Sequence, residues 1–340
     1  MKKIKKIFLV TSNRSEYGIM RNLIKDFKKS KKLRLYLIAT GSHLNSFFGY
    51  TIKEIIDDKN KIFKKIKINS FENGLEKNFF QSSKIITQFS NLFLKFRPDL
   101  LLILGDRYEI FSVAAAAVFN NIPIAHLHGG EKTEGSMDDI FRNSITKMSN
   151  YHFVATKNSK KRVIQLGENP QNTFFVGSLG VENIKKIKIL GKQELKQNLS
   201  INFNKKNIML SFHPEREISD TKKNLIAIIQ SLKSVKNTNI FMSMPNPDKG
   251  NQIIFKLIKN VLKNNKNFYL IKSMGSQNFL SMLKYMNLII GNSSSGIIEA
   301  PSIGIPTLNI GNRQKGREQS KSIYNCQGEK KEIQRFLLKI

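Results

Sequence analysis

Residues 286–300 read MNLIIGNSSSGIIEA: an apolar run of strand length, a turn of small hydroxyl residues bounded by glycine, and Ile297-Ile298-Glu299-Ala300 opening a helix. A buried strand that feeds a helix through such a turn is the repeating unit of a parallel α/β sheet. The junction leaves backbone N–H groups unpaired at the positive end of a helix dipole, and glycine and serine allow an anion such as phosphate to come close. The same residues also suit a plain helix cap, with Ser293 or Ser294 satisfying the first turn.

Outward from this turn the alternation recurs. Apolar, β-branched runs lie at IKKIFLVT (4–11), LRLYLIAT (33–40), DLLLILG (99–105), IPIAHLH (122–128), YHFVAT (151–156) and NTFFVG (172–177). The second half repeats them at NIMLSFH (207–213), NIFMSM (239–244), NFYLI (267–271), MNLII (286–290) and IPTLNI (305–310). Amphipathic stretches such as 17–29 and 78–96 separate the runs, so strands alternate with helices. This predicts an α/β protein with mostly parallel sheets covered by helices on both faces. At 340 residues the chain exceeds one ordinary core. Two Rossmann-like domains are expected, residues 1–177 and 178–340, with the polar segment from Gly177 to Lys206 crossing between them.

Composition excludes several classes. The single cysteine, Cys326, rules out a disulfide framework and a cysteine-only zinc site. The N-terminal MKKIKKIFLVT reads as a first strand, not a secretory signal, and no run approaches the roughly 18 apolar residues of a membrane span. A cytoplasmic protein with no membrane partner is expected. A formal charge of +32 would suggest nucleic acid. The excess is mostly lysine, however, interleaved with apolar residues in groups such as KNKIFKKIKI (59–68) and KKNLIAIIQSLKSVK (222–236), the pattern of solubilising outer faces. Arginine, which reads bases and phosphates bidentately, is scarce. Nucleic acid is therefore not the expected partner, whereas a positive field favours an anionic substrate.

In open α/β sheets ligands bind beyond the carboxyl ends of the strands, and the chemically interesting residues gather there. Thr11-Ser12-Asn13-Arg14 and Thr40-Gly41-Ser42-His43 follow the first two runs. GDRYE (105–109) places two carboxylates and an arginine in one turn, where either Asp106 or Glu109 is expected to cap a helix or pair with Arg107. In HLHGGEKTEGSMDDIFRN (126–143), His126 and His128 would point to one side of an extended segment, and the paired glycines let backbone approach a ligand. His126, His128 and Glu131 are a conceivable metal set, although the spacing is not compact and arginines stand nearby. A lone His213 ends another strand and reads as structural unless other groups converge on it. Arg313 and Arg317 in GNRQKGRE (311–318) come where arginine can pair bidentately with a diphosphate.

Taken in order, TSNRSEYG, TGSHLNSFFGYTIKEI, LGDRYE, HLHGGEKTEGSMDD, GNSSSGIIEA and GNRQKGR resemble the hydrolysing UDP-N-acetylglucosamine 2-epimerases of nonulosonic (sialic-acid-type) sugar synthesis, over about residues 4–325. Each motif alone is weak, and six in one order are specific. The resemblance implies a glycosyltransferase-B-like architecture: two Rossmann-like domains whose parallel sheets face a central cleft, with the nucleotide mainly on the second domain and the sugar facing the first. Ser293 and Ser294 would then meet the diphosphate, Glu299 the uridine ribose hydroxyls, Arg14 and Arg313 the phosphate oxygens, and the backbone near Met274 the uracil. Asp106, Arg107, Glu131, Asp138, Arg142 and His213 would surround the sugar, and His43 joins the substrate-binding set.

The implied reaction converts UDP-N-acetylglucosamine and water to N-acetylmannosamine and UDP through a glycal. Glu131 and Asp106 are the candidate bases, with Asp138, His128 and His213 as proton donors or positioners. No cofactor and no metal are called for, and a homodimer or homotetramer is implied. Some relatives carry glutamate where His128 stands. Family chains also continue tens of residues past the equivalent of KKEIQRFLLKI (330–340), in a helix that returns toward the first domain, so this chain reads as shortened at its C-terminus. Competing readings are a hydrolysing 2-epimerase for a UDP-2,4-diacetamido-2,4,6-trideoxy sugar, a glycosyltransferase of the same architecture, and a non-catalytic nucleotide-sugar-binding protein.

Overall fold

A computed structural model describes residues 4–46, 49–68, 76–134, 137–203, 206–215, 217–245, 250–271 and 275–339. The chain forms two compact units, Met1–Asn183 and Ile184–Ile340. In the first, β1 (Lys5–Thr11), β2 (Leu33–Ala39), β3 (Ile62–Lys65), β4 (Leu100–Leu104), β5 (Ile124–Leu127), β6 (Tyr151–Val154) and β7 (Thr173–Phe175) pair in parallel. Among the described residues they build a seven-stranded sheet of order β3-β2-β1-β4-β5-β6-β7. In the second, β8 (Lys206–Ser211), β9 (Thr238–Ser243), β10 (Phe268–Ile271), β11 (Leu288–Gly291), β12 (Thr307–Ile310) and β13 (Ile323–Cys326) form a parallel sheet of order β10-β9-β8-β11-β12-β13.

Strand alternation accounts for the two-sided cores. Phe8, Val10, Ile38, Leu101 and Ile103 bury on one face of the first sheet, and Ile7, Leu9, Leu37, Leu102 and Leu104 on the other. The second sheet divides likewise: Ile208, Leu210, Ile240, Met242 and Ile290 join one cluster, while Met209, Phe241 and Ile289 join another. Every strand expected from the sequence is present, and two edge strands escaped that reading. β3 hides in the lysine-rich 59–68 group, where Lys64 and Lys65 face solvent while Phe63 packs against Phe8, Tyr36 and Phe96. β13 buries only Ile323 and Cys326 of its IYNC, too short a pattern to register.

The expected crossing, Gly177 to Lys206, is not plain linker, since it holds helices Leu179–Lys186 and Lys192–Leu199. Asn183 belongs to the first unit because its Nδ2 donates to the carbonyls of Gly18 and Ile19 at 2.7 and 2.9 Å. The unit edge therefore lies a little beyond the 177/178 position expected from the sequence. Among the described residues no helix is long and apolar enough to cross a membrane.

Candidate functional site

Strand order reverses between β1 and β4 in the first unit and between β8 and β11 in the second, which directs ligands to the carboxyl ends of those strands. At the first switch point, Thr11 to Asn13 turn tightly into the helix Arg14–Lys29, whose first residue, Arg14, is exposed. Asn13 caps this helix by accepting the Glu16 N–H. Glu16 bends back to receive the Ser12 N–H at 2.7 Å and Asn13 Nδ2 at 2.6 Å, and burial lifts its carboxyl to about 7. The β2 turn packs directly on this one: at Gly41, with φ +59°, a Cβ would stand 2.7 Å from Ser12 O.

His43, expected in the substrate-binding set, does not lie at the surface. It is wholly buried beneath this turn, with Nε2 3.0 Å from Thr11 Oγ1 and Nδ1 2.9 Å from Thr51 Oγ1. Burial pushes its pKa down to about 4, so it braces the turn as a neutral ring.

Beyond β4 and β5, Arg142 organises the acidic residues. It stands in the second turn of the helix Met137–Met148 and is 1% exposed, so it is an internal clamp and not the substrate-facing arginine expected from the sequence. Its Nη2 donates to Asp106 Oδ2 and, at 3.2 Å, to Thr133 Oγ1. Nη1 donates to Asp139 Oδ1 at 2.9 Å and to the Glu131 carbonyl at 3.0 Å. Burial opposes the guanidinium charge, but Asp106, Glu131 and Asp139 outweigh it and hold the group more firmly protonated than usual. Arg107 pairs with Glu109 instead, at 3.2 Å, so the GDRYE turn splits its two acids between two arginines. Asp138 is exposed, and its neighbour Asp139 takes the ion pair.

The two histidines of HLHGG part company. His126 is fully buried in β5, its Nε2–H donating to Gly105 O at 2.8 Å and its Nδ1 lying 3.2 Å from Thr146 Oγ1; burial lowers its pKa to about 4. His128 leaves the strand with φ +64° and forms a 3.1 Å pair from Nδ1 to Glu131 Oε1. With both His126 nitrogens committed to Gly105 O and Thr146 Oγ1, the His126, His128 and Glu131 metal set is not assembled. No group of three possible ligands comes together elsewhere among the described residues.

In the second unit the ends of β8, β11 and β12 are tied together. Gly291 ends β11 with φ +136°, and a Cβ there would sit 2.0 Å from Ser211 O, so the two strand ends touch through backbone alone. The Asn292 side-chain amide then accepts the His213 N–H at Oδ1 and donates from Nδ2 to the His213 carbonyl and, at 3.0 Å, to Glu215 Oε1. The Asn292 carbonyl accepts Arg313 Nη1 at 3.4 Å and Gln314 Nε2 at 2.8 Å. Burial, reinforced by Arg313, drops His213 to about 3, so near neutrality it can donate only as neutral imidazole. The GNSSSG turn leads into helix, as expected, in two short pieces, Ser294–Ile297 and Glu299–Ile303. Ser293 is the cap, receiving Ser295 N–H at 3.3 Å, while Ser294 is partly exposed. Glu299 has one oxygen, Oε2, sealed from solvent with no hydrogen-bond partner among the described residues, and burial raises its carboxyl to about 7. Met274 lies outside the described residues.

The profile of the UDP-N-acetylglucosamine 2-epimerase family matches residues 25–340. The chain belongs to this family. Polysialic acid biosynthesis protein P7 of Escherichia coli is 41% identical over 334 residues, covering 98% of this chain and 85% of that protein. The GDP/UDP-N,N'-diacetylbacillosamine 2-epimerase (hydrolyzing) of Campylobacter jejuni is 38% identical, covering 95% of this chain and 84% of that one. The UDP-GlcNAc 2-epimerase from Neisseria meningitidis, solved bound to UDP-GlcNAc, superposes with a TM-score of 0.83 at 18% identity, over 98% of this chain and 91% of its own. Both units thus carry the glycosyltransferase-B-like α/β fold of the UDP-N-acetylglucosamine 2-epimerases.

In this epimerase-family chain the candidates expected from the sequence fall with Asp106, Glu131 and Arg142 in one unit, and His213, Ser293, Ser294, Glu299 and Arg313 in the other. Glu16, Glu215 and Asn292 were not singled out, and Asp139 was passed over for its neighbour Asp138. Asp139 carried a signal, since it stands three residues before Arg142 on one helix face. Glu215 and Asn292 carried none, because their partnership joins two strand ends far apart in the chain.

Proposed function

We propose that the protein is a hydrolysing UDP-sugar 2-epimerase that converts UDP-N-acetylglucosamine and water to N-acetylmannosamine and UDP, in the cytoplasm, for nonulosonic acid synthesis. The observation that carries this reading is the buried Arg142, which holds the Asp106 and Asp139 carboxylates and the main-chain carbonyl of Glu131, in a chain of the 2-epimerase family. The hydrolysing mode is supported by relatives named as hydrolysing 2-epimerases, such as that from Campylobacter jejuni at 38% identity.

The C2–H bond of the sugar is not flanked by a carbonyl and is a poor acid. The C1–O bond must therefore break as the proton leaves, and catalysis depends on stabilising the charge that grows on the departing diphosphate. In the second unit Arg313 and Ser294 are suited to that task, and Glu299 to the ribose hydroxyls. Glu131 takes the C2 proton, the C2–H electron pair becomes the C1=C2 bond of a glycal, and the C1–O pair departs with UDP. Water then adds across that bond: its oxygen bonds C1, Asp106 takes the proton that the water releases, and a protonated Asp138 delivers a proton to C2 on the opposite face. A general base of this kind contributes roughly 10²–10⁴-fold.

A second reading, a UDP-2,4-diacetamido-2,4,6-trideoxy sugar as substrate, is favoured by the diacetylbacillosamine names among the relatives at 38% and 35% identity. Incubating the protein with each UDP sugar in D₂O and following free UDP and the released sugar by proton NMR tests both. Free UDP with deuterium at C2 of the released sugar is expected. A UDP-linked 2-epimer with no free UDP would point to a non-hydrolysing enzyme, and no turnover of either sugar would reject the proposal.

A further inference from the structure

His128 holds a backbone conformation that a β-carbon disfavours, at φ +64°, in a turn where the next two residues are glycines that could have taken it. The conformation brings both ring nitrogens to partners. Nε2 receives the Leu179 N–H at 3.3 Å, so it carries a lone pair and no proton. The ring hydrogen then sits on Nδ1, which lies 3.1 Å from Glu131 Oε1. Leu179 is the first residue of the helix Leu179–Lys186, where an N–H has no partner within the helix and is available for this bond. The side chains of His128 and Glu131 are 12% and 20% exposed, which shelters the pair while leaving the carboxylate accessible.

We propose that His128 is a positioning residue and not a proton donor: fixed by the Leu179 amide as the neutral Nδ1–H tautomer, it donates to Glu131 and aims that carboxylate at the sugar. This rests on the assignment of Glu131 as the C2 base. The ring holds the carboxylate through Oε1 and so fixes its orientation. Were the ring to hand its Nδ1 proton to substrate, it would need a proton back at a nitrogen whose neighbour faces an N–H, and that chain ends at a peptide amide that cannot relay it.

The test compares the full-length wild type with E131Q, H128A, H128N, L179A and L179P, each assayed for UDP release and C2 deuterium incorporation from pH 6 to 9, with thermal unfolding and UDP affinity measured alongside. Asparagine tolerates φ above zero and sets its Nδ2–H where Nδ1–H stands, but it cannot titrate. H128A is expected to lower kcat by roughly 10²-fold with KM and UDP affinity nearly unchanged, as for a misdirected general base. H128N should recover most of that loss and keep both limbs of the pH profile. Proline is tolerated at the first helical position, so L179P deletes the N–H together with the leucine side chain that packs on the core beside Ile7 and Leu9, and L179A, which loses the side chain alone, is its reference; L179P should lower kcat below that of L179A and have little further effect on H128N. An H128N protein as inactive as H128A, with one limb of the profile missing, would show that His128 itself exchanges a proton with substrate and overturn the inference, as would H128A with wild-type kcat. E131Q with undiminished exchange at C2 would instead remove the base assignment beneath it.

Discussion

Asn292 grips the main chain of His213 from both sides, accepting its N–H at Oδ1 over 2.7 Å and donating from Nδ2 to its carbonyl over 3.0 Å. The same residue offers its own carbonyl to Arg313 and Gln314. One fully buried amide therefore sets the relative positions of the histidine after β8, the turn after β11 and the arginine after β12. Bonds of this kind add little when made and cost more when one partner is removed, because the other stays buried and unsatisfied.

Asn292→Asp tests this arrangement. Aspartate keeps the acceptor but turns a second oxygen toward His213 O and Glu215 Oε1, where Nδ2 now donates to both. Burial already raises the Glu215 carboxyl, so the new pair should share a proton in acid and repel when both ionise. Urea unfolding should show N292D destabilised by about 2 kcal/mol at pH 8 and by less at pH 5. UDP affinity should fall severalfold. Equal stability of the two proteins at pH 8 would mean that the clamp contributes nothing.

Arg142→Met leaves Asp106 and Asp139 without their shared guanidinium at a site where the arginine is 2% exposed and the acids are 24% and 23% exposed. Breaking a buried pair by removing one partner typically costs about 3–5 kcal/mol. Denaturant unfolding is expected to show a loss of that order, and UDP release should fall with it. Adding Asp139→Asn to R142M should return part of the stability by removing one stranded charge. A loss below about 1 kcal/mol would show that water reaches the network and that the clamp is not needed.

Glu299 and Glu16 make stability depend on pH in a defined direction. Each carboxyl stands at about 7 in the folded chain against 4.5 when unfolded. Between those values the folded state binds more protons than the unfolded one, so folding stability falls as pH rises from 4.5 through about 7 and then levels. E299Q should flatten part of that decline. If the Glu299 carboxylate accepts ribose hydroxyls, uridine binds the ionised form, and its affinity should rise through about pH 7 in wild type and become independent of pH in E299Q. Uridine has no phosphate to titrate, so calorimetry with it isolates the carboxyl. A flat wild-type affinity from pH 6 to 8 would detach Glu299 from the ribose.

Much of this molecule was legible in one dimension. Strand interiors such as Leu100–Leu104 are apolar without interruption because both faces of a parallel sheet are covered, and the glycine and hydroxyl turns mark where each strand ends. Those two signals gave the alternation of strands and helices and placed Asp106, Glu131, His213 and Arg313 just past strand ends. The edge strands β3 and β13 were invisible because an edge needs few buried side chains, and lysine serves it well.

Burial and partnership were not legible. Nothing local distinguishes Asp138, which faces water, from Asp139, which holds Arg142, or reveals that His43 and His126 lie sealed in the interior. The order of residues along the chain decided which groups arrive at the carboxyl ends of the strands, since a period of two and a glycine turn are properties of neighbours. Tertiary packing alone decided which of them stay charged, which become neutral and which are bound to one another. A carboxylate 36 positions from its arginine meets it only when two strands and a helix have taken their register, and desolvation acts on a group only once other segments close over it.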